Sequence, residues 1–115
     1  MSRHQSALEA LTAIAGVHGA MLATRDDGIV VAESLMEDVE SGALAALASS
    51  LARRLASAAE AAHAGAAGFL HLQATNGTLF VAPAGPELLL VVIADKGVNV
   101  GRTRLEMSRV VEVGT

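Results

Sequence analysis

The stretch that most constrains this chain is Leu88 to Ala94, which reads Leu-Leu-Leu-Val-Val-Ile-Ala and offers no polar residue to either side. Seven residues suit a strand, and a strand apolar on both faces must be covered on both faces. The run therefore predicts the centre of a sheet with helices above and below it.

The rest of the chain supplies those layers. Leu8, Leu11, Ile14 and Ala15 recur at helix spacing up to Gly16, and Val17 to Thr24 changes to a strand. Arg25-Asp26-Asp27-Gly28 predicts a tight turn, with Ile29 to Ala32 as the return strand. Val39 to about Ala64 has no Pro and is rich in Ala, Leu and Arg, so it predicts one long helix. Glu37, Asp38 and Glu40 stand where its dipole favours negative charge, and Gly65 supplies the stop. Residues 67 to 75 alternate, with Leu70, Leu72 and Ala74 against Phe69, His71, Gln73 and Thr75. Asn76-Gly77 then predicts a hairpin into Thr78 to Ala82, and Pro83 to Pro86 a further turn. After Asp95-Lys96-Gly97 a last helix is expected from Asn99 to Val111, with Val100, Thr103, Arg104, Met107 and Val110 or Val111 inward. The expected architecture is α+β in the order α-β-β-α-β-β-β-α. It is a single five-stranded antiparallel sheet with the long helix on one face and two shorter helices on the other. Residues 1–115 read as one domain, with 67–75 at a sheet edge.

Composition narrows the function. Eight Lys plus Arg against 12 Asp plus Glu give a charge of -4, and the only aromatic rings besides histidine are two Phe. Such a chain lacks the basic footprint and stacking platform of nucleic-acid binding. No cysteine is present, which excludes disulfides and thiol chemistry and fits a reducing compartment. Met1 to Ser6 carries no apolar signal region, and the longest apolar run is far below the ~20 residues that span a bilayer. A cytoplasmic protein without membrane insertion is the expectation.

Projected at 100° per residue, the long helix shows three stripes. Leu44, Leu47, Leu51 and Leu55, continued by Ala58 and Ala62, read as the core face. Ala46, Ser49, Arg53, Ser57 and Glu60 point away from it. Between them runs an unbroken line of Ala45, Ala48, Ala52, Ala56 and Ala59, which is either a seam for a second helix or a product of alanine-rich composition. The edge at 67–75 has neither Pro nor Lys to blunt it, so either a partner covers it or Gly65 and Gly68 distort it. A symmetric dimer pairing this strand with its copy would use Phe69, His71 and Gln73 together with the alanine line.

Residues that could carry chemistry do not assemble into a site. Asp26 and Asp27 lack the alternating ligands and distal Glu of a calcium loop. His4, His18, His63 and His71 share no ligand spacing, so no metal and no cofactor is expected. The glycine-rich segments at 65–68 and 97–101 lack a P-loop lysine and dinucleotide spacing. Arg53 or Arg54 could act as an arginine finger in trans, but adjacent arginines on a surface helix read first as solvated or partner-contacting. No catalytic residue is assigned.

In order along the chain stand Leu8-x-x-Leu11, Ile14-Ala15-Gly16-Val17-x-Gly19-Ala20 and Arg25-x-Asp27-Gly28-x-Val30-Val31-Ala32. The long helix follows, then Gly77-x-Leu79-Phe80-x-Ala82-Pro83, Leu89 to Ile93, and Asn99-Val100-Gly101 leading into Arg102 and Leu105. Together these resemble the roadblock/dynein light chain family over nearly the whole chain. The resemblance implies a non-enzymatic homodimer whose edge strands join into one sheet with paired long helices across a face. Bacterial MglB-type members bind a small Ras-like GTPase through that face and stimulate its hydrolysis without donating an arginine. Carried over, the GTPase contact would be Ala46, Ser49, Arg53, Ser57 and Glu60, and the C-terminal extension of some members is not expected here. The competing readings are a small-molecule sensor and a purely structural adaptor.

Overall fold

A computed structural model describes residues 3–36 and 38–114. The elements are α1 (Arg3–Thr12), β1 (Val17–Thr24), β2 (Val30–Ser34), α2 (Ser41–Ala61), β3 (Leu70–Gln73), β4 (Thr78–Ala84), β5 (Leu88–Ala94) and α3 (Val100–Gly114). The strands form one antiparallel sheet in the order β2-β1-β5-β4-β3. The doubly apolar strand is thus central and the half-polar strand is an edge. Met1, Ser2 and Glu37, invoked for the chain start and the helix dipole, lie outside the described residues.

Strand alternation divides the core in two. Ala20, Leu22, Phe80, Ala82, Leu90 and Val92 point to one face, where Leu8 and Leu11 of α1 and Met107 and Val110 of α3 cover them. Met21, Ala23, Val81, Leu89 and Val91 point to the other face, against α2. The Asn99 side chain caps α3 by accepting from the Arg102 N–H at 2.9 Å. Val100, expected inward, is exposed, because this cap turns Thr103, Met107 and Val110 toward the sheet instead.

Several local boundaries differ from expectation. β2 begins at Val30, not Ile29, because Thr24 donates its N–H to the Ile29 carbonyl (2.9 Å) and accepts the Ile29 N–H on its hydroxyl (2.9 Å), locking Ile29 into the loop. A register shift between Leu22 and Ala23 then leaves Val31 without a partner in β1. α2 stops before Gly65: His63 takes φ 57°, with Ala64 N–H donating to Ala59 O at 2.8 Å and His63 N–H to Glu60 O at 3.0 Å. That pair of bonds is a Schellman stop with histidine at the left-handed position. Residues 67–69 and 74–75 fall outside β3, which keeps only four residues. The hairpin at Asn76-Gly77 forms, but neither residue has positive φ. A Cβ on Gly77 would lie 3.1 Å from the Ala94 carbonyl oxygen, a tight approach that favours glycine there.

The largest correction concerns the roll of α2. Its core face is the alanine line, not the leucine stripe. Ala45 (0% exposed) and Ala48 are buried in the core against β1 and β5, while Leu47 is 69% exposed. The sheet already supplies the bulk through Met21, Leu89 and Val91, so methyl side chains on the helix bring the two backbones close. Gly28, at φ 65°, marks how close: a Cβ there would sit 2.7 Å from Ala46 Cα and 2.9 Å from the Ala45 carbonyl oxygen. The alanine line, proposed as a seam for a second copy, is therefore occupied at Ala45 and Ala48 by the protein's own sheet.

Candidate partner-binding surface

With its alanines down, α2 presents two different flanks. One flank meets the β1–β2 turn. Ser49, expected to face outward, is 1% exposed and donates its hydroxyl to the Arg25 carbonyl. Arg53 reaches over it, donating from Nη1 to the Asp26 carbonyl at 2.9 Å and to Ser49 Oγ at 2.7 Å. A long apolar-lined helix spends a hydroxyl and a guanidinium here on carbonyls that the four-residue turn leaves unpaired. Arg53 is thus exposed yet anchored, whereas Arg54 beside it has no partner among the described residues. Ala46, Ser57 and Glu60 remain exposed, as expected.

The opposite flank carries Leu47, Leu51 and Leu55, the last two half-buried. It faces away from the β1–β2 turn, toward the far ends of the strands. There the next row of the same sheet face is Ile93, Leu79 and Leu72: Ile93 pairs with Leu79, and Leu79 with Leu72. Leu79 and Ile93 are half-buried and Leu72 is 47% exposed. Helix flank and strand row together make an apolar trough beside α2 that no described element fills. None of its residues was singled out from the sequence as a contact. The available signal was that α2 is apolar on two adjacent stripes, more than one buried face requires.

The trough runs out at β3, whose outer edge has no partner strand. Of the residues assigned there, His71 and Gln73 are exposed on β3 itself. Phe69 lies just outside the strand and turns inward, its ring 5.7 Å from Phe80 with the Arg104 guanidinium 4.6 Å above it. The His71 ring stacks on Phe80 at 4.9 Å. Both rings therefore sit on the α3 face of the sheet, opposite the trough. Ala52, Ala56 and Ala59 are half-buried along α2. On the α3 side the His18 imidazole bonds the Asp95 carboxylate, both exposed. No helix among the described residues is long and apolar enough to cross a membrane.

The fold is thus a five-stranded antiparallel sheet with one long helix on one face, an open edge strand and an apolar trough beside the helix. The chain belongs to the Roadblock/LC7 domain family, whose model matches residues 4–94. Among solved structures it is similar to a Roadblock/LC7 domain from Streptomyces avermitilis, at 24% identity and a TM-score of 0.86 over 94% of this chain and 91% of that one. It is also similar to the gliding protein MglB from Thermus thermophilus, at 24% identity and a TM-score of 0.85 over 96% of this chain and 84% of that one. Myxococcus xanthus MglB superposes with a TM-score of 0.90 at 17% identity, over 98% and 92%. No curated protein sequence matches the chain.

Proposed function

We propose that this protein, with residues 1–115 acting as one roadblock unit, is a homodimeric regulator without catalytic residues of its own. Its dimer is the platform for a small Ras-like GTPase whose hydrolysis it modulates. The observation that carries the reading is the trough formed by Leu47, Leu51, Leu55, Leu72, Leu79 and Ile93 next to the open outer edge of β3. Antiparallel pairing of β3 with its copy sets two troughs side by side, and each copy's α2 fills the space beside the other's. This replaces the alanine seam with a leucine one. The outward side of each α2, carrying Ala46, Arg53, Arg54, Ser57 and Glu60, then forms the exposed surface for the GTPase.

The MglB-type activity implied by the family supports this assignment. Its test is single-turnover GTP hydrolysis by a Ras-like GTPase recovered on the immobilised domain, measured with and without the protein. A faster rate, lost in Arg54→Glu while the dimer persists, is the expected result. An unchanged rate with intact binding would leave the structural adaptor as the correct reading.

A further inference from the structure

α2 lies closest to β1, β2 and β5 and stands off β3 and β4. Its second half turns Ala52, Leu55 and Ala56 toward the gap beneath it, a cavity of about 380 Å³ floored by Leu70, Val81 and Leu89. Arg25 also lines it. The backbone of Arg25 is fixed on both sides: its N–H donates to the Glu87 carbonyl at 2.9 Å, and its carbonyl accepts from Ser49. Its guanidinium, by contrast, has no hydrogen-bond or ion-pair partner among the described residues. Asp26 and Asp27 are the nearest acids in sequence, and neither pairs with it.

A half-open cleft with mostly aliphatic walls gives water few partners, while one unpaired cation selects an anionic head. The volume holds about a dozen groups of roughly 30 Å³ each, the share of a small group in a liquid. We propose that this cavity binds a medium-chain aliphatic carboxylate, its tail beneath Ala52 and Ala56 and its carboxylate on Arg25. The site is independent of the GTPase reading and meets the leucine trough only at Leu55, which lines both. Few polar residues line the strands, which argues against a polar metabolite and suits an acyl chain.

The test is titration of the purified full chain with decanoate, a chain of matching size, and with 1-decanol, followed by calorimetry and by methyl NMR shifts of Leu70, Val81 and Leu89. One decanoate per chain is expected, bound more tightly than the alcohol. Arg25→Gln weakens decanoate about tenfold, the loss of one charge-assisted contact, and leaves decanol unchanged. Ala56→Phe, which fills the space, abolishes binding of both. Absence of decanoate binding below its micellar concentration would overturn the proposal. So would equal affinity in Arg25→Gln, or binding only to a dissociated monomer, which would give the cavity to the second copy. The Arg25→Gln arm decides the question even if the Ala56→Phe protein fails to fold.

Discussion

Gly28→Ala tests the packing from which the rest follows. At φ 65° an alanine is strained by its Cβ against its own backbone, a cost of about 1–2 kcal/mol. The new methyl also lies 2.7 Å from Ala46 Cα, a backbone atom of α2 that cannot swing aside as a side-chain end would. Relieving that overlap by moving the helix or the turn costs about 1–3 kcal/mol more. The sum, about 2–5 kcal/mol, is a large share of the roughly 5–15 kcal/mol that stabilises a domain. Since the chain has no Trp or Tyr, urea unfolding is best followed by far-ultraviolet circular dichroism at one fixed protein concentration, which keeps self-association from entering the comparison. The midpoint is expected to fall by on the order of 1–2 M. Gly42→Ala is the control: a Cβ there meets nothing within 4 Å, and the substitution raises stability by roughly 0.5 kcal/mol through helix propensity alone. A Gly28→Ala midpoint within error of wild type would mean that α2 does not rest on the turn, and its alanine-down roll would be wrong.

Other substitutions probe single contacts. His63→Gly relieves the left-handed residue that ends α2 and is expected to raise the urea midpoint by about 1 kcal/mol in stability. Asn99→Ala removes the α3 cap and costs about 1 kcal/mol by the same assay. Arg53→Ala breaks the bonds to Asp26 O and Ser49 Oγ; it is expected to cost about 1 kcal/mol and to speed amide exchange in residues 25–28.

Much of this architecture was legible in the residues, and the misreadings share a cause. Leu88–Ala94 announced a central strand because apolar side chains at both parities leave no alternative, and β1 was found to the residue because Gly16 and the Arg25–Gly28 turn bracket it. The roll of α2 was misread because hydrophobicity ranks leucine above alanine, whereas packing asks which side chains fit a sheet already filled by Met21, Leu89 and Val91. Ser49 was the overlooked marker. A hydroxyl buried among alanines needs an acceptor, and the turn carbonyl of Arg25 supplies one. The strand row of Ile93, Leu79 and Leu72 could not be joined to α2 without knowing the strand order. The Asn76-Gly77 signal located a hairpin correctly for a different physical reason, close approach to Ala94 instead of positive φ.

The leucine trough and the open β3 edge meet their most direct test in molar mass by light scattering across a dilution series, for wild type, Leu51→Arg and Leu72→Arg. Wild type is expected at twice the chain mass of 11.6 kDa, and both variants as monomers with unchanged circular dichroism. A wild-type monomer at every concentration, or dimers that survive both arginines, would contradict that expectation.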